Sequence, residues 1–132
     1  MSSFIKLAVN GTLMRGLELN RNLTDAGAKF LVETTTAPVY RLWSINDDHP
    51  AMMRVKEGGV AVALEVWGVP PEGLVEILQQ EPPGLCLGKI TTADGEEMLG
   101  VLGEPFACDG QKDISRYGGW RAYIEANQPA SG

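Results

Sequence analysis

The sequence predicts an α+β domain: a small mixed β-barrel with peripheral helices, formed by residues 1–132 as one unit. Three observations predict it. Short runs rich in Val, Leu, Ile, Thr and aromatic residues recur along the chain, separated by clusters of Gly, Pro, Asn and Asp. Only two or three stretches carry helical spacing, too few to alternate with the strands as a doubly wound parallel sheet requires. Finally, 132 residues that are 44% hydrophobic and 21% charged suffice for one core, with no disulfide or structural metal needed.

Phe4 to Val9 reads as the first strand, with Ile5, Leu7 and Val9 on one face and Lys6 on the other, and Asn10-Gly11 ends it. Thr12 to Leu19 mixes Gly, Arg and Glu as a loop does. Asn20 to Gly27 is a short helix that Gly27 stops. Ala28 to Thr36, rich in Val, Leu, Phe and Thr, is the next strand, and Pro38 separates it from the alternating strand Val39 to Ile45. Asn46 to Pro50 is a turn cluster, followed by a short strand from Ala51 to Val55 and a turn at Lys56-Glu57-Gly58-Gly59.

Val60 to Trp67 is the plainest strand, placing Val62, Leu64 and Val66 inward and Glu65 on the opposite face. A helix opens at Pro70-Pro71-Glu72-Gly73, where proline's missing N–H costs nothing. It carries Leu74, Ile77 and Leu78 on one stripe and stops at Pro82-Pro83. Leu85 to Thr92 and Met98 to Leu102 flank Ala93-Asp94-Gly95-Glu96, a hairpin signal centred on Asp-Gly. The tail from Asp113 through Ile124 ends as a short helix against the body, and Pro129 to Gly132 frays.

Seventeen acidic against eleven basic residues give a formal charge of −6, and the basic residues are scattered, which excludes nucleic acid as a partner. No apolar run approaches the length of a membrane span or of a signal peptide's apolar region, so no membrane partner is expected and the chain is placed in the cytoplasm. Cys86, Cys108 and the single His49 have no metal-ligand spacing. They predict two thiols in a reducing compartment, and neither a metal nor a cofactor is expected.

Four places could carry chemistry. Asn10-Gly11-Thr12-Leu13 breaks an apolar strand at a glycine. It is either an ordinary turn or a concavity of backbone N–H groups that binds a carboxylate. Glu81 ends the amphipathic helix and is either solvated or lifted towards the range of a general acid or base. Glu65 lies on a wet face or is paired in a pocket with Arg15, Arg41 or Arg54. Asp113 to Tyr123 is a C-terminal clasp or offers Arg116 or Arg121 as a bidentate clamp for a carboxylate or carbamate.

The run from Phe4 to Gly16, followed by Asn20, resembles the opening of the gamma-glutamylcyclotransferase-like superfamily, whose strand runs into a substrate-holding Tyr-Gly-Ser/Thr-Leu loop. Glu65-Val66-Trp67-Gly68-Val69 is similar to the strand before that superfamily's catalytic glutamate. A closer resemblance covers nearly the whole chain. Leu19 to Thr24, Thr36 to Leu42, Glu65-Val66-Trp67, Leu85 to Ile90 and Gly118-Gly119-Trp120-Arg121-Ala122-Tyr123 look like the C-terminal domain of allophanate hydrolase.

That resemblance implies a small-molecule enzyme acting on a carboxylated amide or carbamate, since the family's C-terminal domain is associated with decarboxylating N-carboxycarbamate. The amidase half is absent from this sequence, so hydrolysis of allophanate by this chain alone is not expected. The substrate-binding residues to expect are Asn10, Gly11, Thr12, Leu13, Glu65 and Arg121. The catalytic residues are Glu81, which the cyclotransferase resemblance alone implies since allophanate hydrolase C-terminal domains usually have an apolar residue near that place, with Tyr40 and Arg41 completing the site. Asn10 stands where the cyclotransferase loop has tyrosine, and Glu81 reaches the catalytic glutamate's position when a gap precedes Pro82-Pro83. Two alternatives follow: a gamma-glutamylcyclotransferase-like acyl transfer through Glu81, or a non-catalytic subunit or interaction module for an amidase. A small anionic substrate, an amidase partner and a homodimer are the partners to expect.

Overall fold

The computed structural model describes residues 3–127. Alternation of apolar residues sets up its centre. Strand β1 (Ile5–Val9) pairs antiparallel with β5 (Ala63–Val69) on one side and parallel with β7 (Glu97–Gly103) on the other. Strand β2 (Lys29–Thr35) adds to β5 and β6 (Leu85–Thr91) adds to β7, both antiparallel, giving a five-stranded mixed sheet in the order β2-β5-β1-β7-β6. A second sheet, in the order β4-β3-β8, is built from β3 (Tyr40–Ile45), β4 (His49–Arg54) and the two-residue β8 (Lys112–Asp113). Leu7, Leu42, Met52, Val62, Ile90 and Ile114 fill the core, all fully buried.

The expected β-barrel does not form. The edge strands β2 and β6 meet only beyond their ends, at the Thr36–Thr92 bridge flanked by Ala37 N–H to Thr91 O and Ala93 N–H to Thr35 O. Closure needs a continuous ladder between first and last strands. Here the pairing of β2 with β5 slips by one residue between Phe30 and Val32, and Leu31 and Val32 stay half exposed on the free edge. Pro38 then turns the chain away, so β3 and β4 build a separate layer that joins β5's approach through the Tyr40–Val60 bridge.

Two elements differ from their expected bounds for a local reason. Asn46 and Asp47 both adopt positive φ, 53° and 59°, the geometry of a tight hairpin turn that Asn and Asp tolerate. The turn is therefore short, and His49 and Pro50 enter β4 opposite Ile45 and Ser44 instead of belonging to a five-residue turn. β5 starts at Ala63, and Leu64 through Val69 are all buried, because β1 and β2 flank the strand and both of its faces are covered.

Helix α1 (Asn20–Asp25) ends before Gly27, and α2 (Pro71–Gln80) begins with proline at its first position. Ile77 and Gly73 make the buried stripe of α2, with Leu74 half-buried and Leu78 exposed, so the stripe is narrower than the apolar spacing implies. Gly73 faces α1 so closely that a Cβ there would overlap the carbonyl oxygen of Ala26. Helix α3 (Pro105–Cys108) and β8 have no counterpart in the sequence reading. The tail forms a 3-10 turn over Ser115–Tyr117, then α4 (Trp120–Ala126), and the fraying expected of Pro129 to Gly132 lies outside the described residues. Among the described residues no helix is long and apolar enough to cross a membrane, and both cysteines are free thiols.

The Gly73 contact makes a direct prediction. Gly73→Ala must push α2 off α1 and should lower stability by about 1–3 kcal/mol, despite the better helix propensity of alanine. Urea denaturation checks it: the midpoint falls with the slope unchanged, and an equal or higher midpoint would contradict the packing.

Candidate functional site

The segment leaving β1 is held by its own backbone. Met14 N–H donates to the Gly11 carbonyl at 3.0 Å and Leu19 N–H to that of Thr12 at 2.9 Å, while Asn20 Nδ2 donates to that of Leu13 at 2.8 Å. The carbonyls of Gly11, Thr12 and Leu13 are thus occupied, whereas the N–H groups of the same three residues find no acceptor among the described residues. Asn10 is buried and its Nδ2 donates to the Val101 carbonyl of β7 at 3.0 Å, with the Met52 sulfur of β4 at 3.9 Å. Gly11 lies against Pro50 of β4, and a Cβ at Gly11 would sit 2.6 Å from Pro50 Cδ. Only glycine lets the loop and β4 approach this far.

Glu81 follows the last turn of α2 and faces this loop across a cavity of about 230 Å³ bounded by Thr12, Glu18, Asp48, His49 and Glu81. A smaller recess of about 20 Å³ brings Asn10, Gly11 and Leu13 together with His49 and Glu81. Burial raises the Glu81 carboxyl above its ordinary range, because removal from water disfavours the charged form. Burial lowers the His49 imidazole for the same reason, and the neighbouring Asp48 opposes that shift. The two groups on one cleft are therefore pushed in opposite senses, each towards its neutral form.

The other residues singled out in the sequence lie elsewhere. Glu65 is 2% exposed and its carboxylate accepts four hydrogen bonds: Arg15 N–H at 2.8 Å, Trp67 Nε1–H at 3.1 Å, Arg15 Nε–H at 3.2 Å and Arg121 Nη2–H at 3.3 Å. Of the alternatives for Glu65, the wet face is excluded and Arg15 is the partner, while Arg41 and Arg54 are not. Arg121 also donates to the Arg15 carbonyl at 2.8 Å. This network borders a separate cavity of about 390 Å³, which Tyr117 and Gly119 also line. Tyr40 is fully buried, and its hydroxyl accepts from Arg54 Nη2 at 2.7 Å and Thr91 N–H at 3.0 Å, which fastens β3 to β6. Arg41 lies at the surface, donating to Asp113 at 2.8 Å and to the Gly58 carbonyl, which fastens β3 to β8.

The structure thus brings Asn10, Gly11, Thr12 and Leu13 together with Glu81, pairs Glu65 with Arg121 some way along the chain, and sets Tyr40 and Arg41 apart from both. His49 escaped the sequence reading. Taking Asn46-Asp47-Asp48 as a three-residue hairpin turn would have placed His49 in the ladder beside the Pro50 that abuts Gly11.

These elements define a small two-sheet α+β domain with a polar cleft at the mouth of its central strand. Residues 5–125 match the model of the allophanate hydrolase C-terminal domain, and the chain belongs to that family. Urea amidolyase of Saccharomyces cerevisiae is 33% identical over 131 residues, spanning 94% of this chain and 7% of that protein. Among solved structures, a uropathogenic Escherichia coli-specific protein is similar with a TM-score of 0.92 at 52% identity, covering 95% of this chain and 98% of that one. Kluyveromyces lactis allophanate hydrolase is similar with a TM-score of 0.90 at 30% identity, over 95% of this chain and 22% of that one. The chain spans about 7% of the length of the curated relatives it matches.

The buried carboxylate is the most exacting feature of the molecule. Glu65→Ala strands Trp67 Nε1–H and Arg15 N–H without an acceptor, while both guanidinium groups relax into water. The expected loss of stability is about 2–4 kcal/mol. Chemical denaturation of the purified variant measures it, and a change below about 0.5 kcal/mol would contradict the network.

Proposed function

We propose that the chain is a small-molecule enzyme acting on a carboxylated amide or carbamate, with the cleft between the Asn10–Leu13 loop and Glu81 as its active site. One observation carries this reading: a carboxyl raised by burial shares a small recess with Gly11, Thr12 and Leu13, whose N–H groups are open, and together with Thr12 also lines the larger cavity. The substrate implied by the family resemblance is N-carboxycarbamate, a nitrogen bearing two carboxylates. The loop N–H groups hold one carboxylate. Glu81 in its neutral form approaches the dianion without repulsion and gives its proton to the nitrogen. The bond from nitrogen to the other carboxyl carbon breaks with its electron pair going to nitrogen, releasing carbon dioxide and leaving carbamate. Glu81 then recovers a proton from solvent.

The remaining sequence-implied residues serve this site at a distance. Glu65 and Arg121 fix Arg15, two residues beyond the loop, and Tyr40 and Arg41 hold β3, whose partner β4 carries Pro50. An amidase partner that releases N-carboxycarbamate would supply the substrate.

A second reading is favoured by the acidic wall of Glu18, Asp48 and Glu81, which suits a substrate ammonium group. In a cyclotransferase reaction the substrate's amine attacks its own carbonyl carbon, a new carbon–nitrogen bond forms and the bond to the leaving amine breaks. Glu81 moves the proton from the attacking to the departing nitrogen.

Purified protein supplied with enzymatically generated N-carboxycarbamate should release carbon dioxide above the spontaneous rate, and no acceleration would overturn the first reading. Release of a free amine and a cyclised acid from a gamma-glutamyl amine, with no effect on N-carboxycarbamate, would establish the second. In either reaction Glu81→Gln should lower the rate by about 10²–10⁴-fold. For the decarboxylation the pH profile has a definite sign. The active form is protonated Glu81, so the rate is lost as pH rises through a value above the ordinary glutamate range. A rate that instead grows as Glu81 ionises would exclude its role as the acid.

A further inference from the structure

A carboxylate entering the cleft meets Glu18, Asp48 and Glu81, and among the described residues lining the cavity His49 alone can carry positive charge. Its position is built in. The left-handed Asn46-Asp47 turn sets His49 as the first residue of β4, opposite Ile45. Pro50 wedges against Gly11, and Asn10 ties the loop to Val101 with Met52 of β4 beside it, so the imidazole belongs to the rim of the loop. Both the larger cavity and the small recess include it together with Glu81.

We infer that His49 is the counter-charge of this site, taking up a proton as an anionic substrate seats and hydrogen-bonding the carboxylate that the loop does not hold. The inference rests on the carbamate reading above. The groups that face His49 are Asp48 from its own turn, Glu18 and Thr12 from the loop, and Glu81 from the end of α2. In the free protein burial favours the neutral imidazole. A bound dianion favours the imidazolium, so seating it draws a proton from solution. The sign follows by linkage: affinity for the anion rises as pH falls from about 8 and levels off below the imidazole's value in the free protein.

Malonate tests this, because it carries two carboxylates on one central atom as N-carboxycarbamate does, with a methylene in place of the nitrogen. The chain contains one histidine, so its imidazole signals are unambiguous in proton–nitrogen spectra. Saturating malonate should raise the imidazole's titration midpoint by about one unit or more, with binding at least about threefold tighter at pH 6 than at pH 8. This dependence should persist in Glu81→Gln, which removes the other titrating group whose shift favours proton uptake. His49→Gln keeps a donor but cannot be protonated, and it should lose the pH dependence and weaken binding at pH 6 by about 10–100-fold. Malonate that moves the Gly11 and Thr12 amide signals but leaves the imidazole titration unchanged would overturn this inference and leave the proposed function standing. No response at the amides or the imidazole would overturn both. The wild-type imidazole titration decides the matter by itself if His49→Gln does not fold.

Discussion

The contact between Gly11 and Pro50 governs where everything else in the cleft must be. β1 belongs to the five-stranded sheet and β4 to the three-stranded one, so the two layers meet where the chain leaves β1. The proline ring occupies the place of a side chain at Gly11, and Asn10 beside it satisfies its amide on β7 instead of on water. A buried amide that finds its acceptor in one geometry alone fixes the strand exit, since displacement would leave a polar group unpaired at a cost of about 1–3 kcal/mol. Loop, β4 and β7 are thereby locked as one body, and the helix end bearing Glu81 closes on it.

The electrostatics of the cleft follow from that closure. Glu81 and His49 are displaced in opposite senses by the same cause, partial removal from water, and each is shifted towards its uncharged state. The Glu65 carboxylate is treated differently. Its desolvation is offset by donors from a backbone amide, an indole and two guanidinium groups. One carboxyl is thus kept free of strong partners and the other saturated with them. The first is suited to exchange a proton, and the second to hold the chain beyond the loop in place.

Much of this was legible in the amino-acid order. β1, β6, β7, α2 and the Asp94-Gly95 hairpin announce themselves through alternation, proline punctuation and turn chemistry, all local signals. Loop 10–13 and Glu81 were visible as candidates, but their meeting depends on long-range packing that no local spacing encodes. The pattern of β5 misled for the opposite reason. Alternation implies one wet face, whereas a strand flanked on both sides and covered on both faces buries even its glutamate. Barrel closure was inferred from the number of strands, yet it depends on edge register, which the one-residue slip at Leu31 alters. His49 was hidden because a run of Asn, Asp, Asp, His and Pro reads as one long turn until the two left-handed residues are located.

The slip at Leu31 also bears on how the molecule behaves in company. A sheet that does not close keeps a row of unsatisfied main-chain groups along each outer strand, and a foreign strand can add there. On β2 a newcomer would fall out of step after the first residues, because the extra residue breaks the spacing of donors and acceptors, and Lys29 and Glu33 place charges on either side of the break. The irregularity that prevents the strands from forming a ring therefore also makes this edge a poor template, and guards the apolar pair Leu31 and Val32 against the growth of intermolecular sheets in concentrated solution.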